Sequence, residues 1–157
     1  MENNADAQIL VVDDEERMRN LLKKVLTKQG FSVQTSHNGT DALMKVEENP
    51  FDVIIADIRM PDMNGLEVLK TVKETSPEIY VVIMTAFGSI DSAVEAMKKG
   101  AYDYITKPFK MDEITIVVKK ALEEKRLREE VASLRKEVRS KYRFDNIIGK
   151  SKVMQDV

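Results

Sequence analysis

The chain is predicted to be an α/β protein, a five-stranded parallel sheet with helices on both faces and an extended C-terminal helix. Two observations carry that prediction. Short apolar runs rich in β-branched residues recur near 8–12, 31–35, 52–56, 79–84 and 102–106, and stretches of helical period lie between them. Five such alternations within about 120 residues are the pattern of a doubly wound sheet. Composition agrees, since 157 residues that are 43% hydrophobic suit one domain of ordinary size plus something extra.

Each element follows from its residues. Ile9-Leu10-Val11-Val12, Val53-Ile54-Ile55-Ala56 and Val81-Val82-Ile83-Met84 are apolar throughout, as strands covered on both faces must be. Phe31-Ser32-Val33-Gln34-Thr35 and Tyr102-Asp103-Tyr104-Ile105-Thr106 are mixed and suit sheet edges. Strand order 2-1-3-4-5 follows, with its switch point between the first and third strands. Met18, Leu21, Leu22, Val25 and Leu26 mark the first helix by their spacings of three and four. Gly30, Gly65 and Gly100 punctuate element ends, and Pro50 and Pro77 precede the third and fourth strands.

The fifth helix does not stop where a compact domain would end it. From Met111 to about Ser140 there is neither Gly nor Pro, and Glu, Lys and Arg are dense. Ile114, Val117, Val118, Ala121 and Leu122 can cover the sheet, which closes an α/β domain over residues 1–122. Beyond it Leu127, Val131, Leu134 and Val138 alternate at spacings of four and three, the seam of a coiled coil. Helical from Met111, the segment would extend about 45 Å at 1.5 Å per residue. A dimerising coiled coil over 123–143 is the favoured reading and a solvated single helix the plainer one; the seam alone fixes neither parallel nor antiparallel pairing. Residues 144–157 hold a few apolar residues and a Gly, too few for a core, and look like the truncated start of a further domain. Gly149-Lys150-Ser151 is no phosphate loop, because that pattern needs Gly at 144 and Phe144 stands there.

Charge and composition exclude several classes. Lys and Arg number 25 against 27 Asp and Glu, so the net charge of −2 gives no sign of nucleic-acid or membrane binding. Zero cysteines leave no disulfide or thiolate metal site and fit a reducing cytoplasm. The polar start Met1-Glu2-Asn3-Asn4-Ala5-Asp6 has no apolar core of a signal peptide, and no apolar stretch approaches 18 residues. A cytoplasmic protein is expected.

The chemistry sits at the strand ends. Asp13-Asp14 close the first strand, Asp57 the third, Thr85 the fourth and Lys107 the fifth. In a parallel sheet these ends share one edge, where open α/β folds bind ligands. Carboxylates 4 Å apart repel by about 4 kcal/mol per pair at an effective dielectric of 20, so the cluster demands a proton or a hard divalent cation. Magnesium fits, since it takes oxygen ligands and keeps several waters. The Arg59 backbone carbonyl is placed to complete its shell. Beside the metal, Asp57 would act as the nucleophile that takes up a phosphoryl group, with magnesium and Lys107 neutralising charge and the Thr85 hydroxyl donating to a phosphoryl oxygen. Arg59 and Phe87, each two residues past a strand-end group, would overhang the site and shield it from water.

Singly, each residue has a plainer explanation. Asp14 could cap the helix beginning near Glu15, Lys107 could be a loop lysine and Thr85 a strand-end hydroxyl. All of them at the right ends of one pattern is what tells against the plain readings. His37, beside Asn38-Gly39, reads as a surface-turn residue, and the nine methionines as packing residues.

Val12-Asp13-Asp14-Glu15, Asp57-x-x-Met60-Pro61-x-Met63-x-Gly65, Thr85-Ala86 and Lys107-Pro108-Phe109 together resemble the receiver domain of two-component response regulators, over about residues 7–122. The resemblance implies a flavodoxin-like receiver fold. It also implies an Asp57 phosphorylated by a sensor histidine kinase, and magnesium on Asp13, Asp14, Asp57 and the Arg59 carbonyl. Thr85 and Tyr104 would form a switch, and the Lys107–Pro108 bond would be cis. Gly100-Ala101-Tyr102-Asp103-Tyr104-Ile105-Thr106-Lys107-Pro108-Phe109 is similar to the NtrC and DctD group of sigma-54-dependent activators. That group implies a receiver, a helical linker, an AAA+ ATPase whose first residues would be 144–157, and a DNA-binding domain. Contact with DNA and sigma-54 RNA polymerase would then run through domains absent here. The chain itself would be no enzyme but a phosphoryl acceptor that homodimerises through its linker, its receiver face or both. Two other readings compete: a phosphorylation-independent dimerisation module, and an aspartyl phosphatase. The phosphatase needs an acid two residues past the nucleophile, where Arg59 stands.

Overall fold

The computed structural model describes residues 7–86 and 90–156, with side chains over 7–86 and 90–139. Strands and helices alternate as β1 (Gln8–Val12), α1 (Glu16–Lys28), β2 (Ser32–Ser36), α2 (Gly39–Glu48), β3 (Val53–Asp57), α3 (Gly65–Thr75), β4 (Tyr80–Thr85), α4 (Ile90–Lys98), β5 (Asp103–Thr106) and α5 (Met111–Asp156). The sheet is parallel in the order β2-β1-β3-β4-β5, as the strand composition predicts. Strand bounds shift by a residue here and there. Asp57 is the last residue of β3, at the strand end where the sequence puts it.

Alternation along each strand divides the core into two layers. Leu10, Ile54, Val81 and Ile83 pack with Ala42 of α2, Val68, Leu69 and Val72 of α3, and Ala96 of α4. Ile9, Val11, Ile55, Val82 and Met84 pack on the other face with Leu22 and Leu26 of α1 and Ile114, Val118 and Ala121 of α5. The helices end by local chemistry. Gly30 and Gly100 adopt φ of 98° and 101°, a left-handed conformation that costs glycine nothing, and so close α1 and α4. The following amides, Phe31 to the Leu26 carbonyl and Ala101 to that of Ala96, complete the same stop. α3 begins with a reciprocal cap, Asn64 accepting from the Glu67 amide while the Glu67 carboxylate accepts from that of Asn64.

The chain divides into two compact units after Leu122. α5 stays helical to Asp156, farther than the Gly- and Pro-free stretch to about Ser140, because a lone interior glycine costs a helix only about 1 kcal/mol relative to alanine. In the second unit Arg126 pairs with Glu123 and Glu130, Arg128 with Glu124 and Lys125 with Glu129 along the helix. Leu127, Val131, Leu134 and Val138 stand 44–64% exposed there. Among the described residues no helix is long and apolar enough to cross a membrane.

Candidate functional site

The carboxyl edge of the sheet is assembled by backbone bonds that leave little freedom. Asp57 ends β3 opposite Met84, and the Ile58 amide still donates to the Met84 carbonyl at 2.9 Å, so the chain leaves the sheet only after the carboxylate. The Gly65 amide then returns to the Ile58 carbonyl at 2.9 Å. A Cβ on Gly65 would lie 2.5 Å from the Asp57 carbonyl oxygen, so the loop closes this tightly only around glycine. Asp13 follows β1 directly and is held by its amide on the Ser36 carbonyl at 3.1 Å. Its Oδ1 accepts from the Glu15 amide at 2.8 Å. Asp13 and Asp57 are buried and Asp14 is exposed, yet one carboxylate oxygen of each lies within 4.8 Å of the others.

Lys107 binds the two buried acids together. Its Nζ donates to Asp13 Oδ2 at 3.1 Å and to Asp57 Oδ2 at 3.0 Å, while its amide donates to the Thr85 carbonyl at 2.7 Å. The Lys107–Pro108 peptide is cis, as the resemblance implies. Burial pushes the Asp13 carboxyl above the usual carboxylate range, although the Glu15 amide and the lysine charge pull it back. Burial alone would lower the Lys107 ammonium, but hydrogen bonds and charge from Asp57, with the Asp13 charge beside it, raise it on balance. The ammonium therefore stays charged between them.

These groups fit a hard divalent cation. The donors are carboxylate oxygens, three of them converge, and the exposed Asp14 leaves an open side for waters, which magnesium retains. Asp14 is not a helix cap. Glu15 precedes α1 and makes no side-chain cap bond, while Asp13 takes its amide. Thr85 is buried at the end of β4, in register with Thr106.

The remaining expected residues differ in what the structure shows of them. Arg59 is exposed, and its amide donates to Asp57 Oδ1 at 3.3 Å. Phe87 lies outside the described residues. Tyr104 is 41% exposed, in register with Ile83 and not with Thr85, and lines a hollow of about 450 Å³ with Ile90, Val94 and Met97. Two residues escaped the sequence reading. Arg19 donates from Nη1 to the Asp13 carbonyl at 2.8 Å and so ties α1 to the end of β1. Asp62 accepts three bonds from the first turn of α2. An arginine six residues past the first acid is a faint signal, and a turn aspartate is none.

Known proteins resemble the chain throughout this region. Residues 9–119 match the response regulator receiver domain. The regulatory protein AtoC of Escherichia coli is 35% identical over 150 residues, 96% of this chain and 32% of AtoC. The transcriptional regulatory protein ZraR of Klebsiella oxytoca is 46% identical over 121 residues, 77% of this chain and 27% of its own length. The chain thus spans about a third or less of these curated relatives. Among solved structures, NtrX of Brucella abortus superposes with a TM-score of 0.78 at 37% identity, covering 82% of this chain and 30% of NtrX. A receiver domain from Clostridium thermocellum gives 0.74 at 35% identity, covering 78% of this chain and 98% of its own. With the sheet order, the acid edge and these likenesses in agreement, the chain belongs to the response regulator receiver domain family.

Proposed function

We propose that the chain is the phosphoryl-accepting input of a two-component regulator. A sensor histidine kinase would deliver a phosphoryl group to Asp57. Asp13, Asp14, Asp57 and the Arg59 backbone carbonyl would hold magnesium, which when bound neutralises the incoming charge. Lys107 would pair with the phosphoryl oxygens, and the Thr85 hydroxyl would donate to one. The observation that carries the reading is the convergence of three carboxylates within 4.8 Å of one another, two of them held by the Lys107 ammonium at 3.1 and 3.0 Å. Phosphate must bind one of two packed states better to move the balance between them. Here the moving part would be Tyr104, whose exposed ring would turn inward as Thr85 shifts, with Arg59 and Phe87 overhanging the group as shields.

The linker at 123–143 would join two copies through Leu127, Val131, Leu134 and Val138, and 144–157 would begin an AAA+ module. Sigma-54-dependent transcription would be controlled through ATPase and DNA-binding domains outside this chain, in the cytoplasm. Acetyl phosphate with magnesium tests the acceptor. Intact-mass spectrometry should show one added phosphate, absent from Asp57→Ala and abolished by chelator. Equal labelling of Asp57→Ala, or labelling indifferent to chelator, would sink the site. A dimer whose hydrodynamics ignore phosphate would favour a plain dimerisation module instead.

A further inference from the structure

The acids proposed to hold the cation sit at two strand ends, Asp13 and Asp14 just past β1 and Asp57 at the end of β3, and one short segment touches both Asp13 and the loop after β3. That segment, Ser36 to Thr40, leads from β2 into α2. At one end the Ser36 carbonyl accepts the Asp13 amide at 3.1 Å. At the other, Asp62 Oδ1 accepts from the Gly39 amide at 3.1 Å, and Oδ2 from the Thr40 amide at 2.9 Å and the Thr40 hydroxyl at 2.5 Å. Asp62 lies in the loop between β3 and α3, three residues past Arg59. Its neighbour Met63 presses on the same turn: a Cβ on Gly39 would come 2.9 Å from Met63 Cγ and Sδ.

The first turn of a helix leaves amides without internal partners. In α2 Asn38 takes the Asp41 amide at 2.7 Å, as an adjacent cap does. The amides of Gly39 and Thr40 go instead to a carboxylate 23 and 22 residues onward. A local cap would serve α2 equally well, so the long-range one has a further effect. It locks the loop after β3 to the segment that also holds Asp13.

We propose that Asp62 is a positioning residue for the cation site, gripping α2 so that the loop carrying Arg59 keeps its place relative to Asp13 and Asp14. The inference rests on the proposed cation site, to which Asp62 contributes no ligand. Residues that orient ligands from behind typically cost 10–100-fold in metal affinity when removed, and a residue acting through a loop belongs at the low end.

Manganese binding to the full chain, followed by electron paramagnetic resonance, is the test. Asp62→Ala should weaken manganese about tenfold. Asp62→Asn, which keeps one acceptor oxygen, should fall between it and the wild type. Thr40→Val, which keeps both amide donors, should lose less still. In acetyl phosphate labelling the magnesium requirement of Asp62→Ala should rise in parallel, while the rate at saturating magnesium returns to that of the wild type. A lowered melting temperature with unchanged manganese affinity would reduce Asp62 to a cap of α2 and overturn the proposal. Should Asp62→Ala fail to fold, unchanged affinity in both Asp62→Asn and Thr40→Val overturns it equally. Wild-type protein that binds no manganese would remove the cation site first, and this inference with it.

Discussion

The two units treat apolar side chains in opposite ways. In the receiver, Ile9, Ile54, Ile55, Leu69 and Ile83 are wholly buried, and the helices exist because they cover a sheet. Past Leu122, Leu127 is 46% exposed and Val138 64%, and the helix is braced by charge pairs along its own surface. Exposed pairs of this kind add only about 0.3–0.5 kcal/mol each. The aliphatic stripe on that helix is exposed throughout, whereas the receiver buries its sheet-facing aliphatic residues and leaves others at the surface, Ile90 of α4 at 74% among them. The contrast is between aliphatic side chains buried against a sheet and aliphatic side chains left exposed on a charged helix.

The largest expected effect tests the second half of that contrast. Leu127→Ser with Leu134→Ser removes two leucines per chain, and each buried leucine is worth about 1.5–3 kcal/mol. If the stripe joins two copies, sedimentation at tens of micromolar should show the wild type as a dimer and the double mutant as a monomer, with receiver unfolding unchanged. A monomeric wild type would break the comparison, leaving only a solvated helix face. The next effect sharpens the first half. Ile55→Ala should destabilise the receiver by about 2–5 kcal/mol in denaturant titration, whereas Leu134→Ala, measured under dilution to monomer, should stay within about 0.5 kcal/mol. Equal losses would mean that the receiver depends on the linker.

Gly65→Ala comes third. Its Cβ would sit 2.5 Å from the Asp57 carbonyl, against backbone that cannot yield cheaply, so about 1–3 kcal/mol of stability should be lost. Phosphoryl labelling should fall with it, because the displaced atom belongs to the proposed acceptor, Asp57. The smallest effect concerns Asp62. Hydrogen bonds from the Thr40 hydroxyl and amide, then from the Gly39 amide, hold its carboxyl down at about 2. A depressed acid lends stability above its unfolded value, and loses it as pH falls through the folded value. The stability gap between wild type and Asp62→Asn should be constant above about pH 4 and close between about pH 4 and 2. A gap that survives at pH 2 would contradict those bonds.

What was legible in the sequence follows from what periodicity encodes. Val53-Ile54-Ile55-Ala56 can only be a strand covered on both faces, and once five such runs are ordered, Asp13, Asp57, Thr85 and Lys107 fall on one edge. The residues that escaped notice act between loops. Asp62 looks like any turn aspartate until the fold brings residues 39 and 40 against it. Arg19 looks like solvated helix surface until α1 packs with the guanidinium over the end of β1. Both depend on which loops meet, which no repeat of two or 3.6 residues records. Tyr104 shows the reverse limit: the resemblance names it as a switch, while its 41% exposure and its register with Ile83 come from the fold and not from composition.

The Lys107 ammonium also sets a charge count. Three carboxylates and one ammonium leave the pocket at −2 when all are ionised. A dipositive ion brings that to zero, whereas a monovalent ion leaves a surplus of negative charge in a partly buried space. Lys107 would thus act as a built-in counterweight. It would trim the attraction of a trio of acids to the valence of the ion that the site is proposed to hold.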